Sequence, residues 1–187
     1  MRVIAGTYRG KKLSTPAGVV TRPTADRVKE ALFSILTSRI DFSRIRVLDI
    51  CAGTGSLGIE SLSRGAGSCC FIENNRSVVQ TLERNLIDTG CNTRSEVLPL
   101  DAVTALLRCA QRDKNFDLVF FDPPYLSDLY RTIPDALASA DLLAPSAILV
   151  VECSVRSQLP EAYGVLKRFD RRVYGETALE FFIAEEK

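Results

Sequence analysis

The feature that most restricts the fold is the alternation between Arg46 and Cys153, where short apolar stretches are separated by segments of helical spacing. Val47–Ile50, Cys69–Glu73, Arg94–Leu100, Phe116–Phe121 and Ala147–Cys153 read as strands. A helix is predicted after each of the first four, ending near Arg64 before Gly65, at Gly90 after an Asn75 cap, at Ala110, and at Ala140. Strands joined by helical crossovers run parallel and are covered on both faces, so the expectation is an α/β fold with a doubly wound, mostly parallel sheet. The chain then changes character. Val165–Tyr174 and Ala178–Ala184, separated by Gly175, Glu176 and Thr177, read as an antiparallel hairpin closing the sheet. At the other end, Arg2–Ile4 and Lys12–Leu13 read as a small β-hairpin, followed by a helix capped by Thr24 and running to about Ile40.

Charge separates the two regions. Residues 1–46 carry ten Lys and Arg against three Asp and Glu, and the rest carries fourteen against twenty. A basic start ahead of an acidic body suggests a polyanionic partner, and a solvated terminus is the alternative. The chain has no histidine, which removes Ser-His-Asp and Cys-His nucleophilic sites and HExxH zinc sites; no metal is expected. Its six cysteines have no CxxC spacing and no secretory leader ahead of them, so they read as reduced, mostly buried thiols in a cytoplasmic protein. The apolar run Ala147–Val151 is too short to span a bilayer, and no membrane association is expected.

The residues that carry chemistry fall at predicted strand ends, where an open α/β sheet binds its ligands. Gly53, Gly55 and Gly58 form a GxGxxG match between a strand and a helix, a pattern that lets backbone approach a nucleotide. Asp49, four residues before Gly53, would repel a pyrophosphate and attract a cationic or amino-bearing ligand; alternatively it braces the loop. Glu73 is placed to bind ribose hydroxyls. Asp101 can accept from an adenine amine, or cap the following helix, or both. The most specific signal is Asp122-Pro123-Pro124-Tyr125. Two prolines remove two donors and stiffen the loop, leaving an acid and a carbonyl to accept both hydrogens of an sp² amino group. Tyr125 offers a face on which an extruded base stacks.

Asp49-Ile50-Cys51-Ala52-Gly53-Thr54-Gly55 resembles motif I of S-adenosylmethionine-dependent methyltransferases, and the Asp-Pro-Pro-Tyr loop resembles their amino-methylating motif IV. From about Met1 to Phe182 the chain is similar to bacterial 16S rRNA guanine-N2 methyltransferases of the RsmD family. The likeness rests on Arg2-Val3-Ile4-Ala5-Gly6, Arg9-Gly10-Lys11-Lys12-Leu13, the Thr21–Val28 stretch, Leu57–Ala66 and Tyr174-Gly175-Glu176-Thr177. It implies a seven-stranded Rossmann-like methyltransferase sheet over residues 24–187, with the basic arm of residues 1–23 belonging to the same domain. It further implies S-adenosylmethionine held by Asp49, Cys51, Ala52, Gly53, Gly55, Glu73, Asn74, Asp101, Ala102 and Asp122, and chemistry at Asp122, Pro123, Pro124 and Tyr125. Arg2, Arg9, Lys11, Lys12, Arg22 and Arg27 would then contact 16S rRNA in an assembling or assembled small subunit, with the enzyme a monomer. Two positions depart from the family: Cys51 stands where an aromatic is common, and Asn75 where a second acid is frequent. Cys51 is expected to pack against the cofactor and not to act as a nucleophile. The alternatives are a DNA adenine or cytosine amino-methyltransferase, and a nicotinamide-dependent oxidoreductase or inactive nucleotide-binding module. The first lacks room for a recognition domain, and the second leaves the Asp-Pro-Pro-Tyr loop and the basic arm unexplained.

Overall fold

The computed structural model describes residues 1–16, 23–112, 115–124 and 128–185, with backbone alone at 23–25. The helices are α1 (Pro23–Thr37), α2 (Ser56–Ser63), α3 (Arg76–Thr89), α4 (Ala102–Ala110) and α5 (Leu129–Ser139). The strands are β1 (Arg46–Ile50), β2 (Ser68–Ile72), β3 (Ser95–Leu98), β4 (Phe116–Phe121), β5 (Leu143–Ser154), β6 (Ala162–Tyr163), β7 (Leu166–Tyr174) and β8 (Thr177–Ala184). They form one sheet in the order β3-β2-β1-β4-β5-β8-β7-β6, parallel from β3 to β5 and antiparallel beyond. The eighth strand, beyond the expected seven, is the two-residue β6.

Alternation along the strands sorts the core into two clusters, one on each face. Val47, Phe71, Phe120 and Val150 pack under α1, α2 and α3 with Leu32, Phe33, Ile59 and Leu82. Leu48, Ile72, Phe121 and Val151 face α4 and α5 through Leu106, Cys109, Ile133 and Leu137. All six cysteines are free thiols, and five of them are buried. Among the described residues no helix is long and apolar enough to cross a membrane.

Several local expectations change. The helix opens at Pro23, one residue ahead of the expected Thr24 cap, because proline suits a first turn that needs no N–H from it. A 3₁₀ turn at Asn92–Arg94 shortens the third strand to Ser95–Leu98, and β5 starts four residues early, at Leu143. Pro134 does not interrupt α5. It denies the Tyr130 carbonyl its helical N–H, and the Tyr163 hydroxyl donates to that carbonyl instead at 3.0 Å.

The expected N-terminal hairpin forms around an antiparallel bridge, Arg2 to Lys12, and is closed by Val3 N to Lys11 O, Gly10 N to Val3 O and Leu13 N to Met1 O. Its remaining donors reach α2. Ile4 N and Ala5 N donate to the carboxylate of Glu60 at 2.7 and 3.0 Å, and Thr7 N and Tyr8 N donate to Ser63. Glu60, fully buried on α2, also pairs with Arg64 at 2.9 Å and lies 3.6 Å from Lys29. Gly6 is required by this docking: a Cβ there would stand 1.9 Å from the Ser63 carbonyl oxygen. Asn85 on α3 holds the arm's far end, accepting from Ser14 N and donating to Ser14 O.

Candidate active site

The parallel register decides which side chains meet. Ile50 pairs with Ile72 on one side and Phe121 on the other, and Phe121 pairs with Val151. The residues that follow, Glu73, Cys51, Asp122 and Glu152, therefore form one row across β2, β1, β4 and β5 at the carboxyl edge of the sheet. Asp122 N still donates to Ile50 O at 3.3 Å, extending the ladder by one residue. All four line a cavity of about 740 Å³, shared with Ile72, Asn74, Leu100, Asp101, Ala102, Val103, Pro123, Pro124 and Leu129. The described lining thus holds four carboxyl groups, from Glu73, Asp101, Asp122 and Glu152, and no lysine or arginine.

Each acid is held differently. Glu73 accepts from Gly53 N at 3.0 Å and Asn75 N at 2.9 Å, tying the glycine loop to the end of β2. Asp101 caps α4 by accepting from Thr104 N at 3.0 Å while lining the cavity, so both expected roles are open to it. Hydrogen bonding to Thr104 lowers its pKa. Burial raises Asp122 well above the ordinary carboxyl range, with Glu152 and then Asp49 adding to the rise. Asp122 is itself exposed to the open cavity, where water moderates the effect. Burial raises Glu152 as well. Cys51 takes a left-handed backbone (φ 61°), and its thiol is pushed up to about 12 by burial and by Glu73, Asp122 and Asp49. A thiol so held is no nucleophile at neutral pH.

Not every predicted residue reaches the cavity. Asp49 is 2% exposed and accepts from Gly58 N at 2.9 Å, which is the loop-bracing arrangement. Burial, with a smaller contribution from Glu73, raises it to about 7 against the Gly58 hydrogen bond. Ala52, Gly53 and Gly55 shape the loop without lining the cavity, and Gly53 and Gly55 are both left-handed. Gly58 serves helix–sheet contact, since a Cβ there would stand 2.3 Å from the Phe71 ring. Tyr125 and Arg22 lie outside the described residues. Arg2, Arg9 and Arg27 share an open depression with Asp26 and Glu30, and Lys12 is exposed. Lys11 differs from the others. Its ammonium donates to the Asp88 and Thr89 carbonyls at the end of α3, at 2.9 and 3.2 Å.

Sequence reasoning missed Glu152 and Tyr130. The Tyr130 hydroxyl donates to the Glu152 carbonyl at 3.1 Å and lies 3.5 Å from that of Pro123, strapping the two strand ends together. The only signal for Glu152 was an acid closing an apolar strand.

The acids suit a ligand that is cationic and carries a sugar, and the apolar residues around Leu100 suit a flat ring. The loop donors that would hold a pyrophosphate are committed to protein carboxylates, Gly53 N to Glu73 and Gly58 N to Asp49. That arrangement speaks against a dinucleotide.

The model of the family described as Conserved hypothetical protein 95 matches residues 1–183. The Haemophilus influenzae protein named Ribosomal RNA small subunit methyltransferase D is 37% identical over 169 residues, 89% of this chain and 86% of that one. Its Escherichia coli K12 namesake is 34% identical over 185 residues, 99% and 90% of the two chains. The solved structure of Escherichia coli yhhF superimposes with a TM-score of 0.87 at 34% identity, covering 100% of this chain and 99% of its own.

Proposed function

Because the chain belongs to the family described as Conserved hypothetical protein 95, that of the small-subunit ribosomal RNA methyltransferase D proteins, we propose that it methylates the exocyclic N2 of a guanine in 16S rRNA using S-adenosylmethionine. The observation that carries this reading is the row of acids beside the Asp-Pro-Pro loop in a cavity whose described lining has no basic side chain. Bound there, S-adenosylmethionine would supply an electrophilic methyl carbon on a cationic sulfur. Glu73 would take the ribose hydroxyls, Asp101 and the backbone at Ala102 the adenine edge, and Asp122 would face the positive charge.

A guanine amino group is a poor nucleophile because its lone pair is delocalised into the ring. The Asp122 carboxylate and the Pro123 carbonyl accept its two hydrogens and favour the tetrahedral nitrogen over the planar one. The proton leaves after transfer, through Asp122 to water. Pro124 stiffens the loop, and Tyr125 stacks on a base flipped out of its helix. The exposed cations Arg2, Arg9, Lys12 and Arg27, with Arg22, engage phosphates of a structured small-subunit RNA.

Tritiated S-adenosylmethionine incubated with small subunits from a strain lacking the enzyme tests the reading. Label in N2-methylguanosine at one position of 16S rRNA is expected. Label in DNA, or in another nucleoside, would overturn it.

A further inference from the structure

Beside its reactive amine, guanine differs from the other amino bases. Its neighbouring ring nitrogen N1 carries a hydrogen, whereas adenine N1 and cytosine N3 present a lone pair at the corresponding place. A site that accepts only at the amine does not distinguish these bases; a second acceptor beside the first does. The register supplies one, because Asp122 and Glu152 follow the paired residues Phe121 and Val151 on adjacent parallel strands and line the same cavity.

We propose that Glu152 is the specificity residue of this site, its carboxylate accepting the N1 hydrogen of the guanine whose amine is held by Asp122 and Pro123. The inference rests on the guanine-N2 reading given above and names the group that enforces it. The Tyr130 hydroxyl holds the Glu152 backbone at 3.1 Å and lies near Pro123, so the two acceptors keep a fixed separation. A lone pair on adenine or cytosine would meet a carboxylate there and be repelled, an unpaired contact of the kind that discriminates strongly between bases. Burial and the neighbouring Asp122 oppose the charge on Glu152, and the positive sulfur of a bound S-adenosylmethionine would favour it, so the carboxylate forms with the cofactor in place; the Cys51 thiol carries no charge at neutral pH.

Two variants separate charge from shape. Glu152→Gln keeps the outline and removes the charge; Glu152→Asp keeps the charge and shortens the arm. Single-turnover methyl transfer to unmethylated small subunits should fall about 10- to 100-fold for Glu152→Gln, the worth of a charge-assisted hydrogen bond, and less for Glu152→Asp. Calorimetric affinity for S-adenosylmethionine and the melting temperature should both stay near wild type. A Glu152→Gln rate within threefold of wild type, the reverse order of the two variants, or a rate loss matched by lost cofactor affinity or lost melting temperature would overturn the role. If the wild-type enzyme forms no N2-methylguanosine, the guanine reading itself falls; if it does and Glu152→Gln is unaffected, only the role of Glu152 falls.

Discussion

Asp49 is a carboxyl that the fold keeps dry, and its charge therefore costs stability. Its pKa of about 7 in the folded chain stands above its unfolded value of 3.8, so the folded state retains a proton that the unfolded state releases. Stability consequently falls as pH rises from about 4 to about 7, and the whole penalty is present above that window. Asp49→Asn, whose amide oxygen can still accept from Gly58 N, should stabilise the protein by up to about 4 kcal/mol at pH 8 and hardly at all at pH 4. Thermal melts across pH check this, and a gain independent of pH would contradict it. Asp122 is the opposite case, an acid whose proposed role is chemical. Asp122→Ala should slow single-turnover methyl transfer by about 10²–10⁴ and leave cofactor affinity within a few fold. Activity lost only through lost cofactor would instead make Asp122 a binding residue. Asp122 and Glu73 were legible in the sequence because each follows an apolar strand inside a recognisable pattern of neighbours. Glu152 was not, since its meaning comes from the residue beside it in the sheet, thirty positions earlier in the chain.

Among the elements, the helices and central strands were readable from periodicity and caps, and Asn75 and Asp101 both accept from the helix N–H groups expected of cap residues. What the sequence left hidden were the hydrogen bonds that leave the local chain. The arm is the hairpin expected, and the unread part is that Glu60 and Ser63, more than fifty residues away, take the donors of Ile4, Ala5, Thr7 and Tyr8. In α5, likewise, the Tyr163 hydroxyl that donates to the Tyr130 carbonyl below Pro134 comes from β6. Removing that hydroxyl isolates the consequence. Tyr163→Phe should destabilise the protein by roughly 0.5–1.5 kcal/mol, the net worth of one hydrogen bond. Hydrogen exchange should show faster opening at the start of α5, next to the Asp-Pro-Pro loop. Unchanged stability in a denaturant titration would mean that water satisfies the carbonyl equally well.

At the scale of the molecule, charge is divided between a basic surface on the arm and α1 and an acidic cavity at the strand ends. The excess of cations in residues 1–46 made this division readable, though not that Lys11 is already committed to helix carbonyls. Charge reversal at Arg9, Lys12 or Arg27 should therefore weaken binding to small-subunit RNA and lower the slope of log K against log salt by roughly 1 per lost phosphate contact. Lys11→Glu should act chiefly on melting temperature. Filter binding over a salt series, run beside thermal melts, distinguishes the two, and an equal salt slope for all four variants would contradict the division. The docking of the arm also bears on the order in which the molecule is assembled. Its anchors Glu60 and Asn85 lie 56 and 71 residues beyond the backbone groups they hold, Ile4 and Ser14. At a synthesis rate of about 5–20 residues per second, the cationic arm emerges seconds before the partners that fasten it. Its contacts with α2 and α3 close over more than fifty residues of chain, so the segment proposed to grip RNA stays unfastened until both helices have been made.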